Sequence, residues 1–315
     1  MYFPYFRGKQ NELIAIRDNA SMIKDAGIIP IIEPVKENLS PLKRAVSELT
    51  KVEGEFILIV NPKHGDLKNN PKPLFEELIE KNPKIYEGLS LGYIVNDGSN
   101  LMDIEDFLGE HEKFNIAIIH YGYPKGKDLA DSLNKFPGVE KHIFIDGYSG
   151  KLYQKHFKVE GAERILVRDG FKQRKNAEYP GNEHFSDLHI TYEDEGMRGF
   201  GDFLIVGDDY METGGPAYAI AIHLTYLDDE KNMFIWHFLS DRTNSPVDPA
   251  GKFFEALEKL ITVIDDDTFA FNSRACDEFR HLHKRGHFPG LGHVKKLSMQ
   301  HHIELLSDYL KDVTE

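Results

Sequence analysis

The sequence predicts an α/β fold of the TIM-barrel-like (β/α) kind, with a long loop inserted after the sixth strand and an antiparallel hairpin near the C-terminal third. Three observations carry this expectation. Short apolar runs recur at intervals of about 25 to 30 residues, each followed by a helix-like stretch, which is the beat of successive βα units. Each run closes on polar residues, as strands do when their C-terminal ends surround a site. The beat stops after Asp169, where a polar segment without periodicity begins.

The elements follow in order. Leu13, Ile14, Ile16, Met22 and Ile23 give Gln10 to Lys24 one apolar face, predicting a helix that Gly27 ends. Ile28 to Ile32 is the first strand and ends at Glu33. Ser40-Pro41 opens a helix to about Lys51, serine as N-cap and proline in the first turn. Phe56 to Val60 leads into Asn61 and Lys63, and Pro73 to Lys81 reads as the next helix. Leu89 to Val95 ends at Asn96-Asp97 and precedes a helix from Met102 to Leu108. Asn115 to Ile119 ends at His120, before a helix around Asp128 to Asn134. His142 to Ile145 ends at Asp146, before a helix around Gly150 to Phe157, and Arg164 to Val167 ends at Arg168-Asp169.

Residues 170–201 form the insertion, whose aromatics and mixed charges predict an ordered loop. Phe203 to Val206 reads as a seventh strand. Residues 217–239 flank the polar tip Asp228 to Asn232 as a hairpin, and Asp248-Pro249 caps a helix to Ile264. Residues 276–310 are helical on both sides of Gly286 to Gly292. The whole, residues 1–315, reads as one elaborated domain.

Composition narrows the function classes. Apolar content of 41% and charged content of 29% are those of a soluble globular protein, and no apolar stretch reaches membrane-span length. The N-terminus lacks the basic-then-apolar pattern of a signal peptide, and the single cysteine, Cys276, excludes an internal disulfide and a cysteine-based zinc cluster. A cytoplasmic protein is the expectation. A formal charge of −14 argues against general nucleic-acid binding; the run Lys172-Gln173-Arg174-Lys175 suits at most one anionic ligand.

Candidate site residues come from the strand ends. Side chains alternate along a strand, so a charged residue at the last interior position points into a barrel's mouth. Glu33, His120 and Asp146 are the candidate catalytic groups: Glu33 or His120 as acid or base, Asp146 as second carboxylate or metal ligand. Asn61, Lys63, Asn96, Arg168, Asp169 and Arg174 are candidate substrate contacts, with Lys63, Arg168 and Arg174 the anion holders. His223 joins them from a hairpin face of small residues, Ala217, Ala219 and Ala221. A divalent metal is compatible with these donors, and no metal is specified by any motif. Polar residues also end strands because the chain turns into solvent or caps a helix, so the set weighs more than any member.

Several further motifs stretch along the chain: Met1 to Gln10, Ile29-Pro30-Ile31-Ile32-Glu33-Pro34, Arg174 to Pro180, Phe185-Ser186-Asp187, Gly214 to Tyr218, Ala221 to Tyr226, Gly286 to Gly292 and His301-His302-Ile303. With these the chain resembles a bacterial family related to the phage-type Beta protein family. The resemblance implies a barrel-like fold and a place in phage-defence gene cassettes, and it carries no catalytic residues with it. Two functions follow as expectations. One is a hydrolase of a phosphate-containing or nucleotide-like substrate, with a small anionic ligand at the strand ends. The other is a non-catalytic sensor or subunit that meets a protein partner in a defence complex through the 170–201 loop and the hairpin.

Overall fold

The computed structural model describes residues 1–80, 87–212, 214–266, 269 and 271–314. Among the described residues, eight parallel strands form a nearly closed barrel with alternating helices, and three further strands form a separate antiparallel sheet. The barrel strands are β1 (Tyr5–Phe6), β2 (Ile31–Ile32), β3 (Phe56–Ile59), β4 (Leu89–Asn96), β5 (Asn115–Tyr121), β6 (Val139–Ile145), β7 (Glu163–Val167) and β9 (Gly199–Gly201), neighbours in that order. The TIM-barrel-like fold read from the sequence is the fold observed.

Two strands differ from the sequence reading. Tyr5–Phe6 is a barrel strand, and the last strand is Gly199–Gly201, whereas Leu204 to Val206 turn instead of extending. Closure runs through these two. Phe3 N–H donates to Phe200 O at 2.8 Å, Tyr5 N–H to Asp202 O at 2.8 Å, and Phe200 N–H to Met1 O at 3.1 Å. Glycines flank Phe200 because the chains lie close: a Cβ on Gly201 would stand 2.2 Å from Phe3 O. β1 and β2 are short because Pro4 and Pro30 cannot donate to the ladder. Their carbonyls still accept, from Ile31 and Ile57 N–H at 2.9 and 2.8 Å.

The barrel interior is an apolar column of Tyr5, Ile31, Ile57, Ile59, Ile94, Ile119, Ile143, Ile165 and their neighbours. Outside lie α1 (Gln10–Asp18) and α2 (Ala20–Asp25), α3 (Ser40–Lys51), α4 (Lys72–Leu74, continued as a π turn over Phe75–Ile79), α5 (Leu101–Glu110), α6 (Gly126–Leu133) and α7 (Lys151–Lys155). The single helix expected over Gln10 to Lys24 is two, interrupted at Asn19, whose side-chain amide donates to Ala15 O. Ser40 lies inside α3, and Asn38 Oδ1 accepts its N–H. The end expected at Lys81 lies outside the described residues.

The chain forms two compact units, Met1–Asp169 with Thr191–Phe203, and Gly170–Ile190 with Leu204–Glu315. The segment read as one insertion is thus divided. Its first part carries β8 (Asn182–Ser186) and α8 (Leu188–Thr191), and its last part supplies β9 to the barrel. In the second unit β8 pairs with β11 (Met233–Leu239), which pairs with β10 (Ala221–Leu227) as the expected hairpin. α9 (Pro249–Ile264), α10 (Arg274–Arg285) and α11 (Leu291–Thr314) complete this unit around Ile222, Leu224, Leu257, Leu260, Phe279 and Leu297. Lys252 is buried in it, its ammonium donating to the carbonyls of Ala217, Tyr218 and Ser245. No helix among the described residues is long and apolar enough to cross a membrane.

Candidate functional site at the barrel mouth

Residues continuing the interior phase beyond the strand ends reach the barrel mouth. After β2 this residue is Glu33, two past Ile31, and it is fully buried. After β1 it is Arg7, whose guanidinium pairs with Glu33 and lies 4.8 Å over the Tyr5 ring and 5.0 Å over Phe203. The Tyr5 hydroxyl donates to Glu33 Oε2 at 2.9 Å. Glu33 Oε1 accepts the backbone N–H groups of Lys63 at 2.8 Å and His64 at 3.0 Å, and lies 3.1 Å from His64 Nδ1.

One backbone feature brings His64 there. Gly65 has φ of +73°, and a Cβ on it would stand 2.0 Å from Val35 O. The loop after β3 is therefore pressed against the chain just past Glu33, an approach that only glycine permits. Burial pushes the Glu33 carboxyl up. The His64 hydrogen bond, the Arg7 charge and the Tyr5 hydroxyl outweigh it and hold the group at about 2. A carboxylate acts only as an acceptor, so His64 donates from Nδ1, and in the neutral ring Nε2 carries the lone pair. The His64 side chain keeps 20% of its surface exposed, whereas Glu33 keeps none.

Lys63, whose backbone N–H meets Glu33, carries its ammonium to aromatic rings at the end of β5 and after β6. Its ammonium lies 3.5 Å from the centroid of the Tyr121 ring and 5.5 Å from that of Tyr148. Tyr121 ends β5 on the interior face, and Tyr148 follows β6.

The other residues expected here go elsewhere. His120 faces away from the barrel axis, because β5 points Ala117, Ile119 and Tyr121 inward. It is buried outside the barrel wall, with Nδ1 2.7 Å from the Tyr153 hydroxyl, Nε2 3.1 Å from His142 Nδ1, and its ring against Phe144 and Phe157. The reading that puts it in the mouth is therefore corrected. Asp146 and Arg168 do meet: Arg168 Nε donates to Asp146 Oδ2 at 2.6 Å, and Glu195 lies 3.5 Å from the same guanidinium. Asn61 extends the β3–β4 ladder, donating to Ile94 O at 2.9 Å and accepting Ile94 N–H at 2.8 Å. Asn96 closes a turn by accepting Gly98 N–H at 2.9 Å, and Asp169 is exposed where the first unit ends. Arg7, Tyr5, His64, Tyr121 and Tyr148 were not among the expected site residues.

Arg174 and His223 belong to a polar cluster of the second unit. Arg174 binds Glu183 through two nitrogens, at 2.5 and 2.9 Å, and Lys172 lies 3.5 Å from the same carboxylate. Arg174 and Lys172 thus share one carboxylate within their own unit. His237 Nε2 lies 3.2 Å from Glu183, and His237 Nδ1 lies 2.7 Å from His223 Nδ1. Burial raises the Glu183 carboxyl, but Arg174 more than offsets this and the group stays ionised. His237 therefore donates to Glu183 and accepts from His223, which fixes both tautomers. Phe171 and Tyr179 pack edge-on against His223, and burial pushes its imidazole well down.

Among the described residues no group of three or more His, Cys, Asp or Glu side chains is arranged to hold a metal ion. No protein-family model matches the chain, and no curated protein does. Among solved structures it is similar to a family 123 glycoside hydrolase from Clostridium perfringens, at 11% identity over 99% of this chain and 70% of that one, with a TM-score of 0.41. The barrel itself rests on the strand pairing given above.

Proposed function

We propose that the barrel mouth is a hydrolytic site for a small phosphate-bearing ester, with His64 as the acid–base residue and Lys63 as the anion holder. The observation that carries this is the contact between buried Glu33 and the partly exposed ring of His64. A fixed carboxylate that holds an imidazole through Nδ1 sets its tautomer and makes Nε2 the basic nitrogen toward water. In the reaction, water oxygen bonds to phosphorus while His64 Nε2 takes its proton. The ester P–O bond breaks, and the leaving oxygen receives that proton back. Lys63 offsets charge on the phosphoryl oxygens. Glu33 is held ionised near 2, so its role is to orient and charge-balance, never to donate a proton.

The test is nitrophenol release from p-nitrophenyl phosphate and its diester. His64→Gln is expected to lower the rate by roughly 10²–10⁴-fold, and Lys63→Ala to raise KM. Equal rates in wild type and His64→Gln would refute the assignment.

One observation favours the second reading, a non-catalytic binding subunit: Glu33 is fully engaged by Tyr5, Arg7, Lys63 and His64. Absence of release from either ester above buffer would support that reading. A setting in phage defence rests on the sequence motifs alone.

A further inference from the structure

We infer that Tyr148 is a stacking platform that makes the barrel mouth selective for phosphate carried next to an aromatic base, as in a nucleoside monophosphate. The inference rests on Lys63 being the anion holder. Tyr148 is a large aromatic left half-exposed (49%) immediately after a barrel strand, and its ring packs on that of Tyr121 with centroids 4.2 Å apart. The Lys63 ammonium lies 5.5 Å from it, so a phosphate on Lys63 would place its attached ring within reach of the Tyr148 surface.

The platform is held in place. Asp146 Oδ1 accepts Gly147 N–H at 3.0 Å, and Gly147 turns the chain with φ of +84°. Tyr148 N–H donates to Ile145 O at 3.1 Å, and the buried Ser149 hydroxyl donates to His120 O at 3.0 Å. Asp146 is anchored in turn by Arg168. An aromatic ring that is ordered before the ligand arrives loses little entropy on stacking. Every base has a π-face to stack, whereas free phosphate has none.

The experiment compares binding of uridine monophosphate, ribose 5-phosphate and inorganic phosphate by calorimetry, in wild type, Tyr148→Ala, Tyr148→Phe and Lys63→Ala. Expected is tighter binding of uridine monophosphate than of the other two. Tyr148→Ala should weaken that binding by roughly tenfold or more while the affinity for inorganic phosphate stays put. Tyr148→Phe should restore it, which a general loss of structure would not allow, and Lys63→Ala should weaken all three. Two results overturn the inference and leave the anion site standing: ribose 5-phosphate binding as tightly as uridine monophosphate, or an unchanged ratio in Tyr148→Ala. Binding of none of the three overturns both the platform and the phosphate reading it rests on.

Discussion

In a Glu33→Gln variant the shape of the side chain is kept and the charge is lost. The amide presents N–H groups to partners that are themselves donors: Arg7, the Tyr5 hydroxyl, and the backbone and ring of the Lys63-His64 loop. Arg7 loses the charge of Glu33, and breaking a buried ion pair of this kind costs about 3–5 kcal/mol. The ionisation of Glu33 gives a separate measure. Its carboxyl falls from 4.5 to about 2 on folding, which at neutral pH is worth about 3 kcal/mol. The sign follows from the direction of the shift. The carboxyl is depressed in the fold, so its contribution is complete above pH 4.5 and drains away as pH falls toward 2. Urea unfolding of wild type and variant is the assay, at pH 7 and at steps below 4.5. The gap between them should be at least about 3 kcal/mol at pH 7 and shrink by roughly 1.4 kcal/mol per pH unit below 4.5. A gap under about 1 kcal/mol, or one independent of pH, would refute the picture of a buried, charge-held carboxylate.

Three more outcomes can be checked on the same footing. Burial holds the imidazoles of His142 and His301 down at about 4, so each is neutral in the fold and protonated in the unfolded chain between there and 6.5. Stability should be complete above pH 6.5 and fall by up to about 3 kcal/mol per histidine on descent to pH 4. His142→Asn should flatten its share of the slope in urea titrations. Gly201→Ala drives a Cβ into the backbone oxygen of Phe3, and should lower stability by about 3 kcal/mol or more and raise amide exchange across the β9–β1 seam. Lys252→Met leaves three carbonyls, those of Ala217, Tyr218 and Ser245, without their donor, and should cost about 2 kcal/mol or more in thermal or urea unfolding.

How much of this was legible beforehand depended on contrast between faces. Glu33 shares the interior side with Ile29 and Ile31, but Ile28 and Ile32 on the other side are as apolar and as buried, so this strand offers no contrast and its side was open in the sequence. β5 is buried on both faces, with Ile116 and Ile118 outside and Ala117 and Ile119 inside, so its alternation carries no sign and His120 could be placed on either. β9 was displaced in the reading because Gly-Phe-Gly offers no apolar run. Its glycines answer to Phe3, a neighbour nearly the whole barrel away in sequence, Gly199 to the ring and Gly201 to the backbone oxygen. His64 was missed for a similar reason. It lies in a loop, and what sets its position is contact between Gly65 and Val35, for which Gly65 itself was the local hint. The hairpin and the C-terminal helices were readable because their turns and caps are local: Asp228 binding Asn232, Asp248 accepting Gly251 N–H, and Ser273 accepting Cys276 N–H.

The route of the chain after β7 governs the order in which the parts can be completed. Residues 170–190 go to the second unit, 191–203 return to the barrel, and the remainder leaves again. A growing chain that has emerged through Asp169 holds seven barrel strands and an open seam, with β1 and β7 both exposed as edges. Only when Gly199 to Asp202 arrive can Tyr2 meet Asp202, 200 positions away. Meanwhile β8 waits for its strand partners, Met233 to Trp236. Neither half of the polypeptide is an independent product of synthesis. A truncation near residue 170 removes Gly199 to Asp202 and leaves the barrel seam open, and such a chain should aggregate or be degraded.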